Sequence, residues 1–288
     1  MDTARLLASL ALIASLALVV AVTGACSPTL SSLEPARTIP AGHVQITSGL
    51  DVSLPSGDIR DALESARDMD APGGTLSAQD ANTLVRAGTA VVVQPPSGGG
   101  SVSVAVGLSQ RFALSLRASG NAARAAVRWQ FLRVAPGFYG ALGLGVSTYF
   151  YGFPVQQFVP DLSLDSFSRT ELDIPLSFGW SGKLGHVWFG PKLVFSRYDA
   201  RVTACLDRAD SRCVHEATVA IDGTAFYFAG QLGAAIGWKR FWIAAELTVA
   251  YVSAGADVGL SSSGHTRQHR VGSDGIVLQP AIGFLVWI

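Results

Sequence analysis

Five histidines, three cysteines and a scatter of arginines and carboxylates are the residues of this 288-residue chain that could do chemistry. Cys205 and Cys213, with His215 close by, sit in what reads as a single connecting loop. In an oxidising compartment that spacing suits a disulfide, whereas a metal site built from the three would lack a fourth ligand. His265 and His269 have the H-x-x-x-H spacing of zinc ligands, but such spacing converges only on a helix, and the Ser- and Gly-rich residues before them are not helical sequence. His43 and His186 have no nucleophile beside them, and no Ser/His/Asp or His-x-Ser arrangement is present. Hydrolysis needs a base positioned against a nucleophile or an activated water. The chain therefore reads as non-enzymatic, with neither a metal nor a diffusible cofactor.

The remaining charges are Asp51, Arg117, Arg124, Arg128, Glu171, Asp173, Lys192 and Glu246, and each lies on the polar side of an alternating segment. The best of these is 169–181, where Thr170, Leu172, Ile174, Leu176, Phe178 and Trp180 share one face and Arg169, Glu171, Asp173, Ser177 and Gly179 the other. The same period of two runs through 43–54, 101–108, 111–118, 122–132, 137–150, 185–198, 223–238, 241–252 and 275–288. With the first segment these make ten strands. Their connections alternate between long (55–100, 151–168, 199–222, 253–274) and short, apart from one short turn at 119–121 on the long-loop side. Outer-membrane barrels have this rhythm, with short periplasmic turns and long external loops. The fold expected is an all-β, transmembrane, antiparallel up-and-down barrel of about ten strands, with short helices in the first external loop at 58–70 and 77–86. The rival is a soluble lipid-tethered β-sandwich, in which the same apolar faces would meet a core.

A barrel turns the polar faces into its lumen. Asp51, Arg117, Arg124, Arg128, Glu171, Asp173, Lys192, Gln231, Glu246 and Gln279 are expected there, with Ala141, Gly143, Gly145, Ala229, Gly233, Ala235 and Gly237 making room. A two-residue turn at Gly182-Lys183 would pair 173 with 192 and make Asp173 and Lys192 an ion pair, while Arg128 and Glu246 would face each other across the lumen. A turn at Gly120-Asn121 sets Arg117 opposite Arg124, a like-charge pair that needs either interior acids or a small anionic ligand at the external mouth. Only one charge, Arg197, is expected on the lipid face, where it can snorkel. Overall, 49% of residues are hydrophobic, 15% are charged, and 21 Lys+Arg balance 21 Asp+Glu. Without a cationic surface, nucleic acid is excluded as a partner.

Residues 6–22 form an uncharged apolar run that ends in Val22-Thr23-Gly24-Ala25-Cys26. This resembles the lipobox of bacterial lipoproteins, with Thr23 where Leu is usual. The resemblance implies a signal peptide over 1–25, a covalent lipid on Cys26, and export to the outer membrane of a Gram-negative bacterium. Residues 26–40, with their Pro and Ser, then read as a lipidated tether, followed by a barrel over 41–288. The terminal stretch 281–288 resembles the C-terminal insertion signal of outer-membrane barrels, which implies the barrel insertion machinery and outer-membrane lipid as partners. The functional expectation is an envelope or ligand-presenting role, with a narrow solute channel as the alternative.

Overall fold

The computed structural model describes residues 30–67, 85–86, 88–90, 92–94, 97–120, 122–134, 136–149, 162–209, 212–262 and 265–288; the side chains of 204–217 and 260–269 fall outside that description. Ten strands run in chain order: β1 (Val44–Gly57), β2 (Ser97–Gly107), β3 (Phe112–Ser119), β4 (Ala122–Val134), β5 (Phe138–Tyr149), β6 (Leu162–Ser181), β7 (Gly185–Ala209), β8 (Arg212–Trp238), β9 (Phe241–Ser262) and β10 (His265–Trp287). Neighbours in sequence are neighbours in space, and β1 pairs antiparallel with both β2 and β10, so the sheet closes into a barrel.

The expected faces are the observed ones. Along β5 burial alternates residue by residue, and outward aliphatics such as Leu116, Leu144, Leu232 and Ile282 are between 47% and 61% exposed. Inward, Glu171, Asp173, Lys192 and Glu246 are buried. An exterior of bare aliphatics around an ionic interior inverts a water-soluble fold and is what a lipid-immersed barrel requires. Near the short-turn end, outward rings of Phe112, Trp129, Phe131, Phe178, Phe138, Trp180 and Phe189 form a continuous chain across β3–β7, with centroids 4.7–6.5 Å apart. Amphipathic aromatic rings favour such a membrane boundary.

Three expected loops prove to be strand. Residues 162–168, 199–209 with 212–222, and 253–262 with 265–274 extend β6–β10 well past the ends of β1–β5, so that β8 has 27 residues where β3 has 8. Along the tall strands the polarity of the faces inverts. On β9, outward Leu247, Val249 and Tyr251 give way to Ser253, Gly255 and Asp257, while inward Glu246 and Thr248 give way to Ala250, Val252, Ala254, Ala256 and Val258. Above the inversion the sheet has water outside and a packed core inside, so its pattern no longer reads as lipid-facing. Arg197 stands near this level on β7, with its guanidinium 3.6 Å from outward Asp222 of β8.

The first long connection contributes that core's inner partner. Helix α1 (Asp58–Arg67) carries Asp58 and Asp61 in its first turn, where acids complement the helix dipole. Ile59 from α1 and Val85, Ala90, Val92 and Val93 pack against inward Val194, Tyr198, Ala200, Val202, Val219, Ile221, Ala225, Ala250 and Val252. Of the second expected helix, 77–86, only Val85 and Arg86 are described. A charge placed on the outward belt should be costly. Leu144→Arg, at the middle of β5, is expected to destabilise the folded barrel by about 2–4 kcal/mol in denaturant unfolding from lipid vesicles; an unchanged midpoint would mean that this face does not meet lipid.

Candidate functional site in the barrel lumen

The lumen has three layers. An apolar layer at the short-turn end is built from Leu33, Ala36, Tyr139, Trp188, Trp242 and Leu285, and a plug of Ile59 from α1 with Val85, Ala90, Val92 and Val93 fills the tall end. Between them lies a belt of ions. Small residues make the belt possible: Arg124 of β4 reaches past β5 to give Asp173 of β6 a two-pronged contact at 2.8 and 2.7 Å. Gly145 stands between them, and a Cβ there would strike both the carboxylate and the guanidinium. Gly233 likewise leaves space for the indole of Trp188.

The Arg117–Arg124 juxtaposition exists, because Ser119 pairs with Ala122 across the turn and Arg117 with Arg124. Each arginine has its own acid. Asp173 holds Arg124, and Asp51 lies 3.5 Å from Arg117, which also donates to Ser101 Oγ at 2.7 Å. Both guanidinia are therefore already neutralised, which removes the charge argument for an anion at this mouth. The β6–β7 hairpin corrects one register. Ser181 pairs with His186 rather than Leu184, so Asp173 faces Val194 and Lys192 faces Pro175. A slip of two residues keeps every side chain on its face, and Lys192 Nζ still lies 4.0 Å from Asp173.

The larger correction concerns residues 30–40, expected as part of a lipidated tether outside the barrel sequence. They are instead buried inside the barrel, with Leu30, Leu33, Ala36 and Ile39 among the least exposed apolar residues. This strap lines up with the ionic belt. Glu246 accepts hydrogen bonds from the backbone amides of Ser32 and Leu33 at 2.7 and 3.0 Å and from Trp188 Nε1 at 2.9 Å. Gln279 accepts from Leu30 N at 2.9 Å, and Gln130 from Thr38 N at 3.0 Å. Lys192 donates to the Leu30 carbonyl at 2.9 Å and Arg117 to that of Ser31. Ser31 Oγ donates to Asp51 at 3.2 Å. Arg128 and Glu246, expected to meet across the lumen, are each bound to the strap, Arg128 through Glu34 at 3.4 Å. An apolar strap fits because the wall offers carboxylates and amides to its N–H groups and cations to its carbonyls; an unpaired buried peptide group would be unfavourable.

Arg169, which opens the best alternating segment, closes the upper end of the belt. It donates to Glu171 Oε1 at 2.7 Å, to the Val93 carbonyl at 2.7 Å and to Tyr227 Oη at 2.7 Å, and so pins the loop segment to the wall. Tyr227 Oη donates to the same Val93 carbonyl at 2.8 Å, and Tyr149 Oη donates to Glu171 at 3.2 Å. Sequence reasoning gave no role to Arg169, Gln130, Trp188 or Glu34. The missed signal was electrostatic: Arg117, Arg124, Arg128, Arg169 and Lys192 outnumber Asp51, Glu171, Asp173 and Glu246 on the wall, and Arg128 finds its acid in Glu34 of the strap.

Cys26 lies outside the described residues. The ladder pairs Cys205 with Glu216 and Cys213 with Arg208, so the two cysteines are not directly opposed; their side chains, like those of His215, His265 and His269, fall outside the description. His43 is exposed at the short-turn end, and His186 is buried there between Trp242 and Trp287. Among the described residues no cluster of His, Cys, Asp and Glu has metal-ligand geometry.

No protein-family profile matches the sequence, and no curated protein matches it. Among solved structures, the chain is similar to a major outer membrane protein from Thermus thermophilus, at 11% identity, covering 85% of this chain and 99% of that one with a TM-score of 0.36. It is also similar to the CymD monoaromatic hydrocarbon channel, at 8% identity, 91% and 94% coverage and a TM-score of 0.25. Similarity to the RagAB peptide importer in its closed-closed state, at 10% identity and a TM-score of 0.30, covers 87% of this chain and 41% of that one. Asp173→Ala would leave the Arg124 guanidinium buried without its partner. A loss of about 3–5 kcal/mol is expected in equilibrium unfolding; a change within error would mean that the pair is solvated.

Proposed function

We propose that the protein is a closed outer-membrane barrel lipoprotein without enzymatic activity, which contributes to the envelope and displays the tall β6–β10 sheet outside the cell. The observation that carries this reading is the filling of the lumen at two levels by the chain itself. The strap occupies the lower half, and residues 85–94, held by Arg169 and Tyr227 and by Gln94 Nε2 donating to Ser53 Oγ at 2.6 Å, occupy the upper half. A water-filled pore needs a continuous polar path, and here the polar belt lies between two apolar layers.

The orientation follows from the shape. The short-turn end carries the aromatic chain and the strap's entrance, which suits the periplasmic side. The projecting end is polar outside and packed inside, as a structure standing in external water must be. The lipid on Cys26 rests on the lipobox resemblance alone, and because Leu30 packs inside the lumen with the upper apolar cluster, an anchor in the bilayer requires that residues 26–29 lead out of the barrel. Partners on this reading are lipid and the insertion machinery.

Two measurements test this reading. Planar-bilayer recordings of the wild type are expected to show no stable large steps; porin-like steps would overturn closure. Mass spectrometry of the mature protein is expected to find an acylated Cys26 at its N-terminus; an unmodified Cys26, or cleavage elsewhere, would remove the lipid anchor.

A further inference from the structure

The strap and the loop plug are held differently. The plug, with Val85, Ala90, Val92, Val93 and Gln94, belongs to a segment fixed at both ends by β1 and β2, whereas among the described residues the strap joins the sheet only through the exposed turn 41–43. The wall grips the strap mainly by its main chain: Glu246 reads two successive amides, Gln279 and Gln130 one each, and Lys192 and Arg117 read two successive carbonyls. Main-chain contacts of this kind recognise a peptide backbone whatever its side chains. Selectivity comes from Arg128 on Glu34, from Asp51 on the Ser31 hydroxyl and from one notch. Gly49 of β1 and Gly283 of β10 are cross-strand partners, and a Cβ on either would approach Leu33 Cδ1 to 2.5 or 2.8 Å. At Gly49 the leucine is the nearest atom, so a methyl there would push Leu33 from its seat, whereas at Gly283 the Ser48 carbonyl at 2.5 Å already excludes a Cβ. Leu33 itself has φ 51°, a left-handed conformation that a leucine adopts only when its surroundings impose it. The wall thus selects the bound shape of the strap, as a receptor does with a ligand.

We propose that the lower lumen is a peptide-binding site, occupied here by the chain's own residues 30–40 and able to take, when that strap is out, a polypeptide tail of the same chemistry that turns left-handed at its leucine. Its ligand presents two consecutive carbonyls, two consecutive amides and a leucine-sized side chain following small hydroxyl residues. Binding of this kind depends on the wall groups and the notch alone, so it stands whether or not Cys26 is acylated and whether or not the barrel conducts.

The test keeps the full chain. A protease site placed in the exposed turn at 41–42 allows the strap to be cut after the barrel has folded in detergent. A fluorescent peptide with the sequence of residues 30–40 is then added and followed by anisotropy, and the released strap is identified by mass spectrometry. Saturable binding to the cut barrel is expected, competed by unlabelled peptide and absent from the uncut barrel. Gly49→Ala, which meets only the flexible end of Leu33 and the Ile282 carbonyl at 3.2 Å, should weaken the peptide at least tenfold. A peptide with alanine in place of the leucine should recover most of that loss on the Gly49→Ala barrel and bind worse than the original peptide on the parent. A cut strap that is never exchanged, a peptide that binds cut and uncut barrels alike, or an affinity indifferent to the glycine-leucine swap would each overturn the proposal. If the inserted site prevents folding, the uncut full chain gives the readout: Gly49→Ala is expected to lower the unfolding midpoint and Leu33→Ala in the same chain to restore most of that loss, while simply additive losses would sink the proposal.

Discussion

A buried carboxylate with two peptide amides on it, Glu246 beneath Ser32 and Leu33, shows what the interior has to solve. Lipid outside forces the polar half of every strand inward, and a ten-stranded barrel is too narrow to leave those groups to bulk water. Each ion must then find a protein partner, because desolvation of an unpaired charge is far more unfavourable than any single contact can offset. The wall does this partly within itself, through Arg124 with Asp173 and Arg169 with Glu171. The rest is completed by a strand-free stretch of peptide whose own N–H and C=O groups have the same need. Strap and wall are complementary because each has an excess of what the other lacks.

Shape follows from the same requirement. Arginine can reach carboxylate across an intervening strand only over a glycine, as at Gly145, and a tryptophan can fill the lower lumen only over another, as at Gly233. These glycines pair large with small across the wall and are fixed by interior volume, not by turns. Above the membrane the logic reverses. Inward alanines and valines of β7–β9 surround α1 and residues 85–93, and the barrel ends in an ordinary apolar core raised on an ionic one.

The strands and their faces were legible in the sequence because lipid on one side and a polar lumen on the other impose a period of two that little else produces. The turn at Gly120 set the Arg117–Arg124 register correctly, since two residues suffice there. At Gly182 the hairpin closes later, with Gly182 N donating to the Gly185 carbonyl, so local turn chemistry misled by two positions and left the faces intact. The tall ends were misread as loops because their alternation is inverted and made of Ala, Val, Ser, Gly and Asp, without the large outward aliphatics that mark a membrane strand. The strap had no period of its own. What betrays it is Arg128 without an acid of its own on the wall, together with Leu30, Leu33 and Ile39 in a segment read as a tether.

Unequal wall heights leave the projecting sheet with two open sides, since β5 stops opposite Arg169 and β1 opposite Gly275. Backbone groups along 162–168 and 265–274 therefore have no ladder partner on one flank among the described strands, the condition under which sheets add foreign strands and associate. On the β6 flank a bulge at Leu164/Ser166 breaks the pleat, and Asp165 stands in it, accepting a hydrogen bond from Thr203 Oγ1 at 2.6 Å. On the β10 flank, exposed Arg270 stands on the open ladder. Kinks and charges of this kind are what disfavour edge-to-edge pairing of sheets, so the tall half can stand clear of the barrel wall without offering a flat, uncharged edge to a second sheet.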